Sequence, residues 1–259
     1  MRAPRPTEKL YPMIDIRHYS ATPDFLKDRA ILVTGAGDGI GRAVAKAYAA
    51  HGATVILLGR TTKKLEQVYD EIEDAGHPQP AIFPMNLETA TATDYDDLGD
   101  TIKNEFGRLD GLLNNAAQVG GLTPIQHYNI NLWARIININ LNAPFVLCQV
   151  CIPLLEQAVD PAIIFSTDDC TRAYWGAYGV AKYGQQGLMK ILADELDNDR
   201  PIRVNGINTG PVCTNLRAHN YPGEDPNILP TPEDVVAPYL YFMGPASQGT
   251  TGQSFTFNS

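Results

Sequence analysis

Between Arg29 and Tyr48 the chain reads RAILVTGAGDGIGRAVAKAY, and no other stretch limits the possible folds as much. The apolar run Ala30 to Val33 reads as a short strand, and Ile40, Val44, Ala47 and Tyr48 then recur at helical spacing. Gly35, Gly37, Gly39 and Gly41 lie between and at the helix start. Residues without a Cβ allow backbone N–H groups at the head of a helix to approach an anion closely. The guest such a turn suits is a phosphate or pyrophosphate.

The GxGxxG spacing fails in either register, because its third glycine would fall on Ile40 or Arg42. Gly35, Gly39 and Gly41 instead satisfy GxxxGxG directly after Thr34. TGAGDGIG resembles the TGxxxGxG turn of the classical short-chain dehydrogenases/reductases. The resemblance implies an α/β fold, a doubly wound, parallel, seven-stranded Rossmann-type sheet with helices on both faces. It also makes Gly35, Gly37, Asp38, Gly39, Ile40 and Gly41 candidate cofactor contacts.

The second strand, Thr54 to Leu58, ends in Gly59-Arg60. In dinucleotide folds an acid about 20 residues beyond the glycine turn binds the ribose hydroxyls of NAD, whereas an arginine nearby accommodates the 2′-phosphate of NADP. Gly59 takes the acid's place and Arg60 follows, so NADP is the expected cofactor and NAD the alternative. A third strand, Ala81 to Phe83, leads to Asn86-Leu87, where the family usually has an aspartate beside the adenine. The fourth, Leu109 to Leu113, runs into Asn114-Asn115-Ala116-Ala117, similar to the family's NNAG turn; Asn115 and Ala116 are candidate contacts. A long helix starting near Asn131 carries Asn140, aligned with the asparagine that in this family bends the helix through a water and joins a proton relay.

A fifth strand, Pro161 to Ser166, precedes Tyr178 and Lys182, a YxxxK pair one turn apart on one helix face. Tyrosine with its ordinary pKa near 10 is a poor base at neutral pH; a neighbouring ammonium and a nicotinamide cation favour tyrosinate. Tyr178 is therefore the candidate acid/base and Lys182 its tuner, and the resemblance adds a contact from Lys182 to the nicotinamide ribose. The family's serine lies thirteen residues before the tyrosine, yet Phe165 occupies that position. Counted from the strand start at Ala162, the serine's place falls on Thr167 or Asp168, and the loop Asp169 to Trp175 is about three residues short. Thr167 is the expected hydrogen-bond donor to substrate, with Ser166 a second hydroxyl candidate; an ionised Asp168 there would raise the Tyr178 pKa. After a sixth strand, Ile202 to Ile207, NTGPVCT resembles the family's NPGxxxT, making Val212 and Thr214 candidates to hold the nicotinamide carboxamide. Asn215 to Pro230 is polar and rich in turn residues, a mobile substrate loop near 212–230.

Composition narrows the partners. A net charge of −9 argues against nucleic acid or anionic lipid, no apolar run is expected to span a membrane, and no secretory signal is read. Residues 1–17 read as a disordered or loosely attached extension, with Met13 an alternative start, and 18–259 as one dinucleotide-binding domain. Four cysteines fit a reducing, cytoplasmic setting; the CxxC of Cys148 and Cys151 lies in the apolar FVLCQVCIPLL and reads as core, and scattered histidines give no metal site. The resemblance implies a homodimer or homotetramer, and RAYWGAYGVAK and LYFMG…TTGQSFTF are similar to the YciK-like bacterial members. The expected function is NADP-linked interconversion of an alcohol and a carbonyl on a small molecule. The alternative is a dinucleotide-binding sensor or scaffold with little or no catalysis.

Overall fold

A computed structural model describes residues 15–257. Most of the proposed N-terminal extension, including the alternative start Met13, lies outside the described residues. Asp15 to Arg17, also assigned to that extension, are attached: Ile16–His18 forms a short 3-10 helix capped by Asp15. Its Ile16 packs on the core, and the neighbouring Tyr19 ring meets Tyr241 edge-on at 5.3 Å.

Seven strands form one sheet: β1 Ala30–Thr34, β2 Thr54–Gly59, β3 Ala81–Pro84, β4 Gly111–Asn114, β5 Ala162–Thr167, β6 Arg203–Asn208 and β7 Ser254–Thr256. Their order is β3-β2-β1-β4-β5-β6-β7, and each neighbouring pair is parallel. Between them run α1 Gly39–Ala50, α2 Thr62–Asp74, α3 Ala92–Phe106, α4 Ile130–Ile137, α5 Ala143–Leu155, α6 Gly176–Glu195, α7 Asn215–Asn220 and α8 Ala237–Met243.

The apolar strands are buried on both faces, as a parallel sheet covered by crossover helices requires. Successive side chains alternate between two cores. Leu32, Ile56, Leu112, Ile163, Phe165 and Val204 meet α3, α5 and α6 through Leu98, Ile102, Leu147, Leu155 and Met189. Ile31, Val33, Val55, Leu57, Leu113 and Ile164 meet α1, α2 and α8 through Val44, Tyr48, Val68, Ile72 and Phe242. Each such leucine or isoleucine stabilises the fold by roughly 1.5–3 kcal/mol. The paired thiols behave as core: Cys148 and Cys151 are free and buried, and burial pushes the Cys148 thiol up to about 12.

Two regions differ from the sequence expectation. The stretch expected to be too short for a membrane span is one continuous helical run, residues 130–155, long and apolar enough to cross a membrane by length and composition. Within this fold its α5 part instead packs against the sheet through Leu147, Cys148, Cys151 and Leu155. A π-helical turn, Asn138–Asn142, joins α4 to α5. The supposedly irregular loop after β6 also contains regular structure, α7 and a 3-10 turn at Pro226–Ile228. Thr214 caps α7, accepting from Arg217 N at 3.1 Å, and Arg217 grips both oxygens of Glu224 at 2.6 and 2.7 Å.

Candidate active site

Strand order reverses between β1 and β4, and loops leaving the two strands diverge there, which opens a crevice at their carboxyl ends. A cleft of about 540 Å³ lies at this point. Of the predicted cofactor contacts, Gly35, Gly37, Asp38, Gly39, Ile40, Arg60, Asn86, Leu87, Asn115, Ala116 and Thr214 line it. Gly41 and Val212 are buried and outside the lining, as are Tyr178 at 6% and Lys182 at 2% exposure.

The glycines have separate jobs. Gly35 and Gly39 take left-handed backbone, φ 68° and 51°, which side chains with a Cβ rarely adopt. A Cβ on Gly41 would stand 2.3 Å from Gly35 O and 2.6 Å from Asn115 Nδ2, so this glycine lets α1 press against the turn. Thr34 Oγ1 accepts from the N–H groups of Asn115 and Ala116 at 2.9 and 3.0 Å, tying the ends of β1 and β4 together. The arrangement fits a dinucleotide: the head of α1 faces the cleft, and Arg60 stands exposed at the end of β2 without a side-chain partner among the described residues.

Asp38 caps α1 through Gly39 N at 2.8 Å. Lys64 donates to the same carboxylate, and Asn215 at the start of α7 donates to both its oxygens at 3.0 Å. Burial alone would raise the Asp38 pKa; the Lys64 ammonium, the Asn215 amide and the Gly39 N–H outweigh it and hold the carboxyl below its usual value. Lys64 and Asn215, neither singled out in the sequence, thus join the glycine turn, α2 and the loop over the cleft. Lys64 stands at i+4 from Arg60, a spacing that offered a signal for it.

The YxxxK pair is reached from the cleft through Ser166. Its hydroxyl contacts Asn115 Oδ1 at 3.2 Å and the Tyr239 hydroxyl at 3.0 Å, while its carbonyl accepts from Lys182 Nζ at 2.7 Å. Ser166 therefore braces Lys182 from behind and does not face Tyr178. Nor does Thr167: its side chain lies against Gly206 on β6, and its hydroxyl is buried without a hydrogen-bond partner. The expected assignment of the serine's place to Thr167 is corrected by this geometry. Asp168, the other position left open, is the residue that meets the phenol, accepting from the Tyr178 hydroxyl at 3.2 Å. In the loop that follows, Tyr174 adopts a left-handed φ of 77°, a conformation costly for a bulky side chain.

The electrostatics of Tyr178 follow the alternative in which Asp168 stands beside it. Burial pushes its pKa well above 10, and the Asp168 carboxylate adds to the shift. Lys182 Nζ lies 5.6 Å from the centre of the phenol ring and is itself pulled down to about 8 by burial, partly offset by Asp168. Its second acceptor is Gln185 Oε1 at 3.1 Å, and Gln185 Nε2 donates to the Asn140 carbonyl at 2.6 Å. A buried amide thus links Lys182 to the Asn140 carbonyl. Gln185 sits at i+3 from Lys182 on the same helix face, a spacing that could have revealed it. The Asn140 side chain spans the π turn, donating to Ile136 O at 2.8 Å and Gln118 O at 2.9 Å.

A parallel sheet of this order, a glycine turn at its switch point and a Tyr–Lys pair on the helix after β5 define a dehydrogenase of the short-chain type. The family model described as short chain dehydrogenase matches residues 29–225, and the chain belongs to that family. It is 42% identical over 241 residues to the uncharacterized oxidoreductase YciK of Escherichia coli K12, covering 92% of this chain and 95% of that one. A short chain dehydrogenase structure from Pseudomonas syringae superposes with a TM-score of 0.90 at 48% identity, covering 93% of this chain and 98% of the other. One from Escherichia coli CFT073, complexed with NADPH, gives a TM-score of 0.89 at 41% identity, covering 92% and 100%.

Proposed function

We propose that this oxidoreductase interconverts a small-molecule alcohol and its carbonyl with NADP as hydride carrier. The observation that carries the proposal is the short chain of contacts from the glycine cleft, through Asn115 and Ser166, to the Tyr178–Lys182 pair. Arg60, Lys64 and the open head of α2 at Thr61 would receive the 2′-phosphate, since all three line one end of the cleft. Relatives crystallised with NADP and NADPH support the same preference. Asn86 and Leu87 would flank the adenine, and the Thr214 hydroxyl and the Val212 backbone would hold the carboxamide end.

When bound, the dinucleotide supplies or accepts the hydride. Tyr178 holds its proton firmly, which suits delivery of that proton to a developing alkoxide in the reducing direction. Lys182 steadies the ribose and, through Gln185, the π turn at Asn140. The loop carrying α7 excludes water above the site. Phe145, Val180, Tyr183 and Ile191 expose apolar surface on α5 and α6, which supports association through these helices into a dimer or tetramer. Three buried thiols and a partly exposed Cys213, all free, suit a reducing cytoplasm.

Titration with NADPH and NADH, followed by absorbance assays on a panel of ketones and aldehydes, tests the proposal. NADPH should bind at least about tenfold more tightly than NADH, and R60A with K64A should erase that difference. Tight NADPH binding without turnover of any carbonyl would mark a sensor.

A further inference from the structure

Three features around Tyr178 point to the charge of the substrate. First, the residue touching the phenol is a carboxylate, which only accepts hydrogen bonds, whereas a ketone oxygen requires donors. A plain carbonyl oxygen placed beside Tyr178 would meet the negative charge of Asp168. Second, no cation pairs with that carboxylate within 4.0 Å among the described residues, although Lys182 and Arg217 feel its charge from farther away. Lys182 is buried and committed to Ser166 and Gln185, and Arg217 is held by both oxygens of Glu224. Asp169 accepts from Tyr183 at 2.8 Å, and Arg172 is exposed. Third, the partly exposed Asp168 adjoins an aromatic wall. Trp175 stacks on Tyr178 at 5.6 Å and leans on Tyr221 at 6.3 Å, and Arg217 already lies 3.7 Å over the Tyr221 ring. A partly buried carboxylate at the edge of an aromatic cluster suits an organic cation.

We propose that the substrate carries a protonated amine on the carbon next to the reacting carbonyl, so that the enzyme interconverts an amino ketone and the corresponding amino alcohol. This rests on the alcohol–carbonyl reading above and names its substrate class. The ammonium donates to Asp168 and takes over the acceptor that the Tyr178 hydroxyl uses in this structure. The phenol is then free to turn its O–H to the carbonyl oxygen. In reduction, hydride adds to the carbonyl carbon and the C=O π pair moves to oxygen, which takes the Tyr178 proton. Solvent restores that proton; the ketone is reduced, NADPH is oxidised to NADP+, and the ammonium keeps its protons throughout.

The test uses two aryl ketones of the same shape, phenacylamine in its ammonium form and propiophenone, which has a methyl group in place of the ammonium. Tryptophan fluorescence gives their dissociation constants at slightly acidic pH with NADP+ present, and NADPH absorbance gives turnover. The intact enzyme should bind phenacylamine at least about tenfold more tightly than propiophenone. D168S and D168N should both lose that preference, with NADPH affinity and thermal melting close to those of the parent. Equal binding of the two ketones by the intact enzyme, tighter binding of propiophenone, or a preference that survives both substitutions overturns the proposal. NADPH binding distinguishes the levels of failure. If NADPH binds and propiophenone is preferred, only the amine assignment falls; if NADPH does not bind, the alcohol–carbonyl reading falls with it.

Discussion

Gln185 donates its side-chain amide to the backbone carbonyl of Asn140 at 2.6 Å. Its oxygen accepts from Lys182 at the same time, so one buried side chain fixes both the lysine and the π turn. Q185L should remove one partner each from the Asn140 carbonyl and the Lys182 ammonium and cost about 2–4 kcal/mol of stability. It also removes an acceptor that favours the charged lysine, so the alkaline limb of the pH–rate profile should shift to lower pH. Q185E should shift it to higher pH. Denaturant melts and kcat/KM profiles read the two effects separately.

Lys182 titrates near 8 in the fold against an ordinary 10.5. A lysine with a depressed folded pKa binds fewer protons in the native than in the unfolded chain between those values, so it makes stability rise with pH across that window. The full rise is about 3 kcal/mol. Tyr178, shifted the other way, erodes stability above pH 10. Urea unfolding between pH 8 and 10 should therefore show an upward slope that is lost in K182M and kept in Y178F.

Y178F removes the proton donor and leaves the ring stacked on Trp175. Turnover of any carbonyl substrate should fall by about 100-fold to 10,000-fold. NADPH affinity should change by no more than about threefold, because the phenol stands outside the cleft lining. Steady-state kinetics and fluorescence titration measure the two quantities independently.

G41A should be the most damaging single-methyl change in the nucleotide turn. Its Cβ meets a backbone carbonyl at 2.3 Å, and that atom cannot move without disturbing Gly35. Overpacking of about 1–3 kcal/mol is expected, together with loss of NADPH binding, because the head of α1 must back away from the turn. G76A, in open space outside the cleft, is the control for nucleotide binding; its φ of 74° adds local strain only.

The parts of the site that were legible in the sequence are those set by local spacing. The glycine turn is a run of backbone requirements between adjacent residues, and YxxxK declares a shared helix face. The sheet follows from short apolar strands alternating with amphipathic helices, which leave few other ways to bury both faces. Contacts made across the loop after β5 were not legible. Whether Thr167 or Asp168 reaches Tyr178 depends on how the chain leaves β5, and one residue of slip turns a side chain to the opposite face of the strand. The upward shift of Tyr178 was foreseen only for the case in which Asp168 reaches it, and its larger cause, burial, has no local signature in the sequence. Gln185 escaped notice because a polar residue on α6 gives no sign of whether water or a carbonyl lies opposite it. The helix over the cleft was hidden because its polar residues are stabilised by a cap and an ion pair, without an apolar stripe.

The wide turn at Asn138–Asn142 has an angular consequence for the helix beyond it. Such a turn accommodates one residue more than an α-turn, and each residue advances an α-helix by about 100°. Were the same residues wound as a regular α-helix, Leu147, Cys151 and Leu155 would be rotated by about 100° out of the seam they fill beside the strands. The bulge thus works as a phase setter, aligning two stretches of helix that must each face a different neighbour.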